Sequence, residues 1–190
     1  MRFPPSLLPI KANRKVIDMD KYLLFNRSYL QPQGMNNLRL VLAQAKKDAE
    51  NNPLFTEDFF STPQRKWEVR YDNAYPNVIY DPKYKKYRCY YTLCSKDNDS
   101  ASASKEERAR RDYRPSPTRI VSLGYAESDD GIHWSKPELG FVDFEGSKAN
   151  NLLFRYAHGT GVFLDEEEID PCKRYKMVTK IDFPGKRNFM

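Results

Sequence analysis

Histidine is scarce in this chain, with two in 190 residues, and cysteine occurs three times with no Cys-x-x-Cys pair. That supply does not support a zinc site built from His and Cys. Cys89 and Cys94 lie in or at the end of a tyrosine-rich run and read as small buried residues rather than ligands. No apolar run reaches the length of a membrane span. Residues 1–15 hold no sustained apolar stretch, so no signal peptide is visible and the sequence assigns no compartment. The Asn-x-Ser triplets at Asn26 and Asn98 matter only in a secreted protein. No motif calls for a cofactor or a metal.

Aromatic residues are abundant at 14%, with 13 Tyr and 11 Phe. Disordered chains are poor in aromatics, so most of this one should fold. Its length suits one domain with a sizeable core. Tyr-rich runs containing Val and Ile favour strands, which points to an all-β fold. The net charge of +6 admits a nucleic-acid or membrane partner in principle. Much of the excess sits in one stretch, residues 105–114, and the other Lys and Arg alternate with acids. A solvated loop explains that pattern better, so neither partner is expected. A nucleic-acid binder would instead show affinity that collapses with salt.

Residues 1–66 read as an N-terminal arm. A strand fits within residues 16–25. The one good helix falls at about 36–50, where Asn36 can cap and Leu38, Leu42, Ala45 and Ala49 share a face. From Trp67 the texture becomes that of strands. Residues 67–71 alternate, 78–80 form a short buried-type strand, 81–86 turn, and 87–93 return as an antiparallel partner. Residues 95–117 form a low-complexity insertion, expected to be a mobile loop with a transient helical turn near 106–111. A third strand spans 119–127, a tight turn follows with Gly131 at positive φ, and a fourth strand starts at 132–134.

The pattern then restarts. Residues 161–165 echo 77–81, and 174–178 echo 86–90, with Val162 lying 84 positions after Val78. Without the insertion the repeat is roughly 50–60 residues, the scale of a propeller blade. Residues 67–190 thus read as one full four-stranded blade and the start of a second. Because a ring of blades must close to protect its strand edges, the natural fold is expected to need more chain than this.

The most specific segment runs from Tyr125 to Pro137 and contains Ala126-Glu127-Ser128-Asp129-Asp130-Gly131-Ile132-His133-Trp134. Physically it is a hairpin corner. Ser128 and Asp129 are expected to bond turn amides, Gly131 to make the reversal and Trp134 to pack back between strands. The segment resembles the Ala-x-Ser-x-Asp-Gly-x-x-Trp corner of five-bladed β-propellers in the glycoside hydrolase family 32 and 43 group. Residues 67–92 look like the first hairpin of such a propeller. Residues 136–151 and 159–177 look like proteins named after the family 32 N-terminal domain.

The resemblance implies a carbohydrate-active propeller whose carboxylates sit at the inner ends of blade strands. Laid on this chain, the family's first acid falls on Ala74, its second on Gly159, and its third beyond Met190. Asp72 and His158 are therefore the substitutes for catalytic groups, against plainer readings as a turn-capping Asp and a loop His. Arg70, Tyr71, Asn73 and Tyr75 are the expected sugar contacts, against ordinary strand packing. Asp129 and Asp130 read as structural, and Glu166, Glu167 and Glu168 as a solvated hairpin tip. The expectation is a glycoside hydrolase-like propeller acting on or binding glycans. The alternative is a non-catalytic module that binds glycans or proteins.

Overall fold

In the computed structural model the described residues are 44–48, 50–71 and 73–183. The chain divides into two compact units, Met1–Lys46 and Lys47–Met190. The strand expected within residues 16–25 lies outside the described residues, as does most of the helix expected at 36–50. Residues 44–48 carry no regular structure.

The second unit is mostly antiparallel β-sheet. β1 (Asn77–Asp81) and β2 (Lys86–Lys96) form a hairpin in which Asn77 lies opposite Tyr90 and Asp81 opposite Lys86. β3 (Ile120–Ser128) runs along the other edge of β2, and the two-residue β4 (Trp134–Ser135) continues the meander. These are the four strands expected from the sequence. β4 covers only Glu127 and Ser128, which leaves most of the outer edge of β3 without partners. A further strand, β5 (Leu152–Arg155), fills that gap opposite Ser122, Leu123 and Gly124. The sequence reading did not assign β5. Open backbone groups on β3, which are costly to bury unpaired, draw this segment into the sheet.

One residue, Tyr156, separates β5 from the next strand and takes a left-handed φ of 65°. β6 (Ala157–Leu164) and β7 (Tyr175–Ile181) then form a second, two-stranded sheet. This is the hairpin predicted from the echo of β1 and β2. It lies against the first sheet, where Asn77 Oδ1 accepts from Val162 N–H and the Tyr90 and Tyr175 rings sit 6.3 Å apart. Neither sheet closes on itself among the described residues.

Two expectations need correction. Residues 67–71 do not form a strand; a single bridge, Arg70 to Cys94, joins them to β2. Glu68 and Val69 are both buried, which strict alternation on a one-sided strand forbids. The partner that draws Glu68 inward, Lys136, is remote in sequence and could not be read locally. The second correction concerns the corner between β3 and β4. Asp130, not Asp129, takes the turn amides: its Oδ1 accepts from Ile132 N–H and His133 N–H, both at 2.8 Å. Ser128 Oγ accepts from Gly131 N–H at 2.9 Å, Gly131 has φ 78°, and Trp134 Nε1–H donates to Gly131 O. Asp129 faces solvent and pairs with Lys86 at 3.0 Å. The His133 ring and these amides hold the Asp130 carboxyl well below the usual range.

The insertion after β2 carries two short helices, α1 (Asn98–Ala101) and α2 (Lys105–Arg110). Asp97 caps α1, and Ser104 with Glu107 closes a capping box on α2. Arg108 reaches back to donate to the carbonyls of Val69 and Ser100. The α2 helix coincides with the helical turn expected near 106–111.

The main core gathers Cys89, Tyr91, Leu93, Ala126, Val142 and Leu152, with Phe55, Trp67, Tyr71, Trp134 and Phe144 packed around it. β2 is buried continuously from Tyr91 to Ser95 and β3 from Ile120 to Ala126, so both faces of the sheet are covered there. Gly124 sits at the closest packing. A Cβ on it would lie 2.7 Å from Leu93 Cδ2 and 2.9 Å from Tyr91 Cζ, both within the core. Gly124→Ala is expected to lower stability by about 1–3 kcal/mol through overpacking. Urea denaturation followed by tryptophan fluorescence reads this as a lower midpoint at unchanged slope.

Candidate functional site

Residues 70–71 and 73–77 lie alongside β2. Arg70 bridges to Cys94, the Ala74 carbonyl accepts from Thr92 N–H, and Asn77 pairs with Tyr90. The insertion leaves β2 at this same end, while the β3–β4 corner lies at the opposite end beside Lys86. Three successive non-glycine residues, Asn73, Ala74 and Tyr75, have φ of 53°, 53° and 41°. Each such residue costs of order 1–3 kcal/mol, and strain of this kind gathers at functional sites. Tyr75 N–H donating to Asn73 O, and the Ala74 carbonyl on Thr92, hold the distortion.

The distortion turns the Tyr75 ring outward, 46% exposed, and sets it edge-on to the His158 ring at 5.8 Å. His158 stands near the start of β6. Its Nδ1 lies 3.1 Å from Asp182 Oδ2, just past the end of β7, and both side chains are largely shielded from solvent. A carboxylate beside one ring nitrogen orients an imidazole, the usual way a histidine is positioned to take or give a proton. The strand pairing explains this meeting: His158 lies opposite Lys180, so Asp182 arrives beside it where the chain leaves β7.

The predicted site residues separate into two groups. Tyr75, Asn73 and His158 come together, with the Asn73 amide donating to the Tyr75 hydroxyl at 3.4 Å. Asp72 lies outside the described residues. Arg70 and Tyr71 lie farther along the segment. The Arg70 guanidinium rests 4.0 Å from the Tyr113 ring centroid. The Tyr71 ring packs on Phe55 and Tyr91, and its hydroxyl donates to Thr56 O and accepts from Lys136 Nζ. Burial, then the carboxylates of Glu68, Asp58 and Glu57, keep that hydroxyl protonated far above the usual tyrosine range.

Sequence reasoning missed Asp182. The echo between hairpins pointed toward it, because Asp182 is the first residue past Ile181, where the β6–β7 pairing ends. It also missed a buried ionic cluster. Lys136 Nζ, 6% exposed as a side chain, lies 2.6 Å from Glu68 Oε2 and 2.9 Å from Asp58 Oδ2. Glu68 in turn accepts from Tyr91 OH, which accepts from Asn151. Every polar group in this cluster has an internal partner, as a structural network requires. Among the described residues, no three His, Cys, Asp or Glu side chains are placed to hold a metal ion. Burial pushes the Cys89 thiol up to about 12, consistent with an inert core residue. No family model matches this chain, and neither a curated protein nor a solved structure matches it.

Proposed function

We propose that this chain supplies blades of a glycoside hydrolase-like β-propeller that binds glycans at the end of the sheets where Tyr75, His158 and Asp182 meet. One observation supports the reading above others. The two stretches that lie on the acid-bearing motifs of the resembled family, residues 73–77 and 158–160, are remote in sequence yet adjacent in space. A four-stranded meander followed by a hairpin laid on its face is the arrangement that successive propeller blades take. The hairpin also leaves Phe163 and Val178 exposed, at 57% and 77%, on one face, as a further blade would require.

Ala74 and Gly159 stand where the family's acids would be, which favours binding over the family's usual hydrolysis. The His158–Asp182 pair is the specific feature that favours proton transfer as a second reading, since it offers an oriented imidazole at a strand end. An exposed aromatic ring beside it suits the apolar face of a sugar. A glycan array probed with the whole chain tests the proposal. The expected result is a defined set of bound glycans, with signal reduced about tenfold or more in Tyr75→Ala and His158→Ala, the scale of losing one well-placed contact. Release of reducing ends by the unaltered chain, abolished in His158→Ala, would establish the hydrolytic reading. Absence of binding to every glycan overturns both.

A further inference from the structure

We infer that the pocket between residue 70 and the helical insertion binds an anionic group carried by a sugar, a carboxylate or a sulfate ester. The inference rests on the glycan reading above and names its substrate class. The pocket has a volume of about 380 Å³, within the ~300–1,000 Å³ of small-molecule sites. Arg70, Lys105 and Arg108 line it, against one carboxylate, that of Glu57. Tyr71 and Phe60 supply aromatic walls.

The three cations differ in what they do. Arg108 gives its hydrogen bonds to the carbonyls of Ser100 and Val69 and covers the rings of Phe59 and Phe60. Its partners are neutral, so the positive charge stays in the pocket while the side chain pins α2 to the sheet. Arg70 makes a cation–π contact with Tyr113, and among the described residues no hydrogen bond or ion pair engages its guanidinium. That contact holds the cation in place while its N–H groups remain for a carboxylate or sulfate, which a guanidinium can receive bidentately. Lys105 opens α2, is exposed, and has no ion-pair partner among the described residues.

Placement ties the pocket to the glycan site. Arg70 is opposite Cys94 and Ala74 is beside Thr92, so Arg70 stands two β2 residues, ~7 Å, beyond the strained loop that presents Tyr75. A short oligosaccharide lying on Tyr75 spans that interval. The insertion therefore adds a charge-selective subsite to a scaffold whose strands alone carry none.

Calorimetric titration of the whole chain tests this with three oligosaccharides of matched length: an oligogalacturonate, a heparin-derived sulfated oligomer and a neutral xylo-oligomer. At least one anionic probe should bind about tenfold tighter than the neutral one, the scale of one bidentate charge-assisted contact. Arg70→Gln and Lys105→Gln should each remove most of that preference. Lys83→Gln, an equal charge loss on the β1–β2 turn, should not. Lys105 lies on an exposed helix start, so its variant keeps the test valid if Arg70→Gln fails to fold. The galacturonate and heparin arms distinguish the carboxylate source from the sulfate source. Equal binding of the neutral probe, unchanged in Arg70→Gln, overturns the inference and leaves the glycan reading standing. Binding to none of the three overturns the inference, while the glycan reading stands or falls on the glycan array. Tighter binding of a single-stranded RNA of equal charge than of either anionic sugar overturns it in favour of nucleic acid.

Discussion

Lys136→Ala should destabilise the second unit by about 3–5 kcal/mol, the largest single effect expected in this chain. The substitution leaves Glu68, which has 0% exposure, as a buried carboxylate without its cation. Asp58 and Thr56 O lose the same donor, and the Tyr71 hydroxyl loses a hydrogen bond. Urea denaturation should show a marked drop in midpoint. The control is the double variant Lys136→Met with Glu68→Leu. Removing both charges together, with similar volume, should restore much of the loss, because an apolar pair avoids the desolvation that the ion pair must offset. A single variant as stable as the unaltered chain would mean that Lys136 reaches water in solution and the cluster is not buried.

Asp81→Ala should cost about 3 kcal/mol and loosen the β6–β7 hairpin from the first sheet. Asp81 is fully buried and accepts from Tyr175 OH and Lys83 N–H. Arg174 and Arg88 approach it at 3.5 and 3.7 Å. The lower end of the range for a broken buried pair applies, because Arg88 keeps some contact with water. Burial raises the Asp81 pKa, but the Tyr175 hydroxyl, the Lys83 amide and Arg174 outweigh it and hold the carboxyl below its ordinary value. The folded state therefore releases this proton more readily than the unfolded state. Its contribution is present above the unfolded carboxylate pKa of about 3.9 and is lost as pH falls through the lower folded value. Chemical denaturation should show stability declining below about pH 4, with a shallower acid limb in Asp81→Asn. Identical acid limbs in the two proteins would exclude Asp81 as a source of acid sensitivity. Hydrogen exchange adds a spatial check: the variant should expose β6 and β7 amides before those of β2 and β3.

These two clusters show why the sequence was informative about strands and poor about what joins them. The hairpins were legible because apolar and tyrosine residues alternate over short stretches and turn residues bracket them. The corner was legible because Ser128, Asp130, Gly131 and Trp134 interact within seven residues, although the amide acceptor proved to be Asp130. Most of the candidate site was legible as well: Asn73, Tyr75 and His158 were named, and they come together. Asp182, Lys136 and Glu68 were not, since each acquires its role from a partner that only tertiary packing supplies. Local patterns also gave no sign that Tyr71 would turn inward, because a tyrosine reads the same on a strand whether its hydroxyl finds water or Thr56.

By itself, then, the sequence determined the mostly β character of the described residues, the order of the two hairpins and the reversal at Gly131. Those depend on side-chain alternation and backbone preference over a few neighbouring residues. Tertiary structure alone decided that β5 completes the edge of β3. It also decided that Lys136 and Glu68 become a buried pair, and that Asp182 stands beside His158 while Arg70 faces a cationic pocket. Each of those outcomes depends on burial and on partners tens of residues away, and desolvation energy has no local signature in a chain of amino acids.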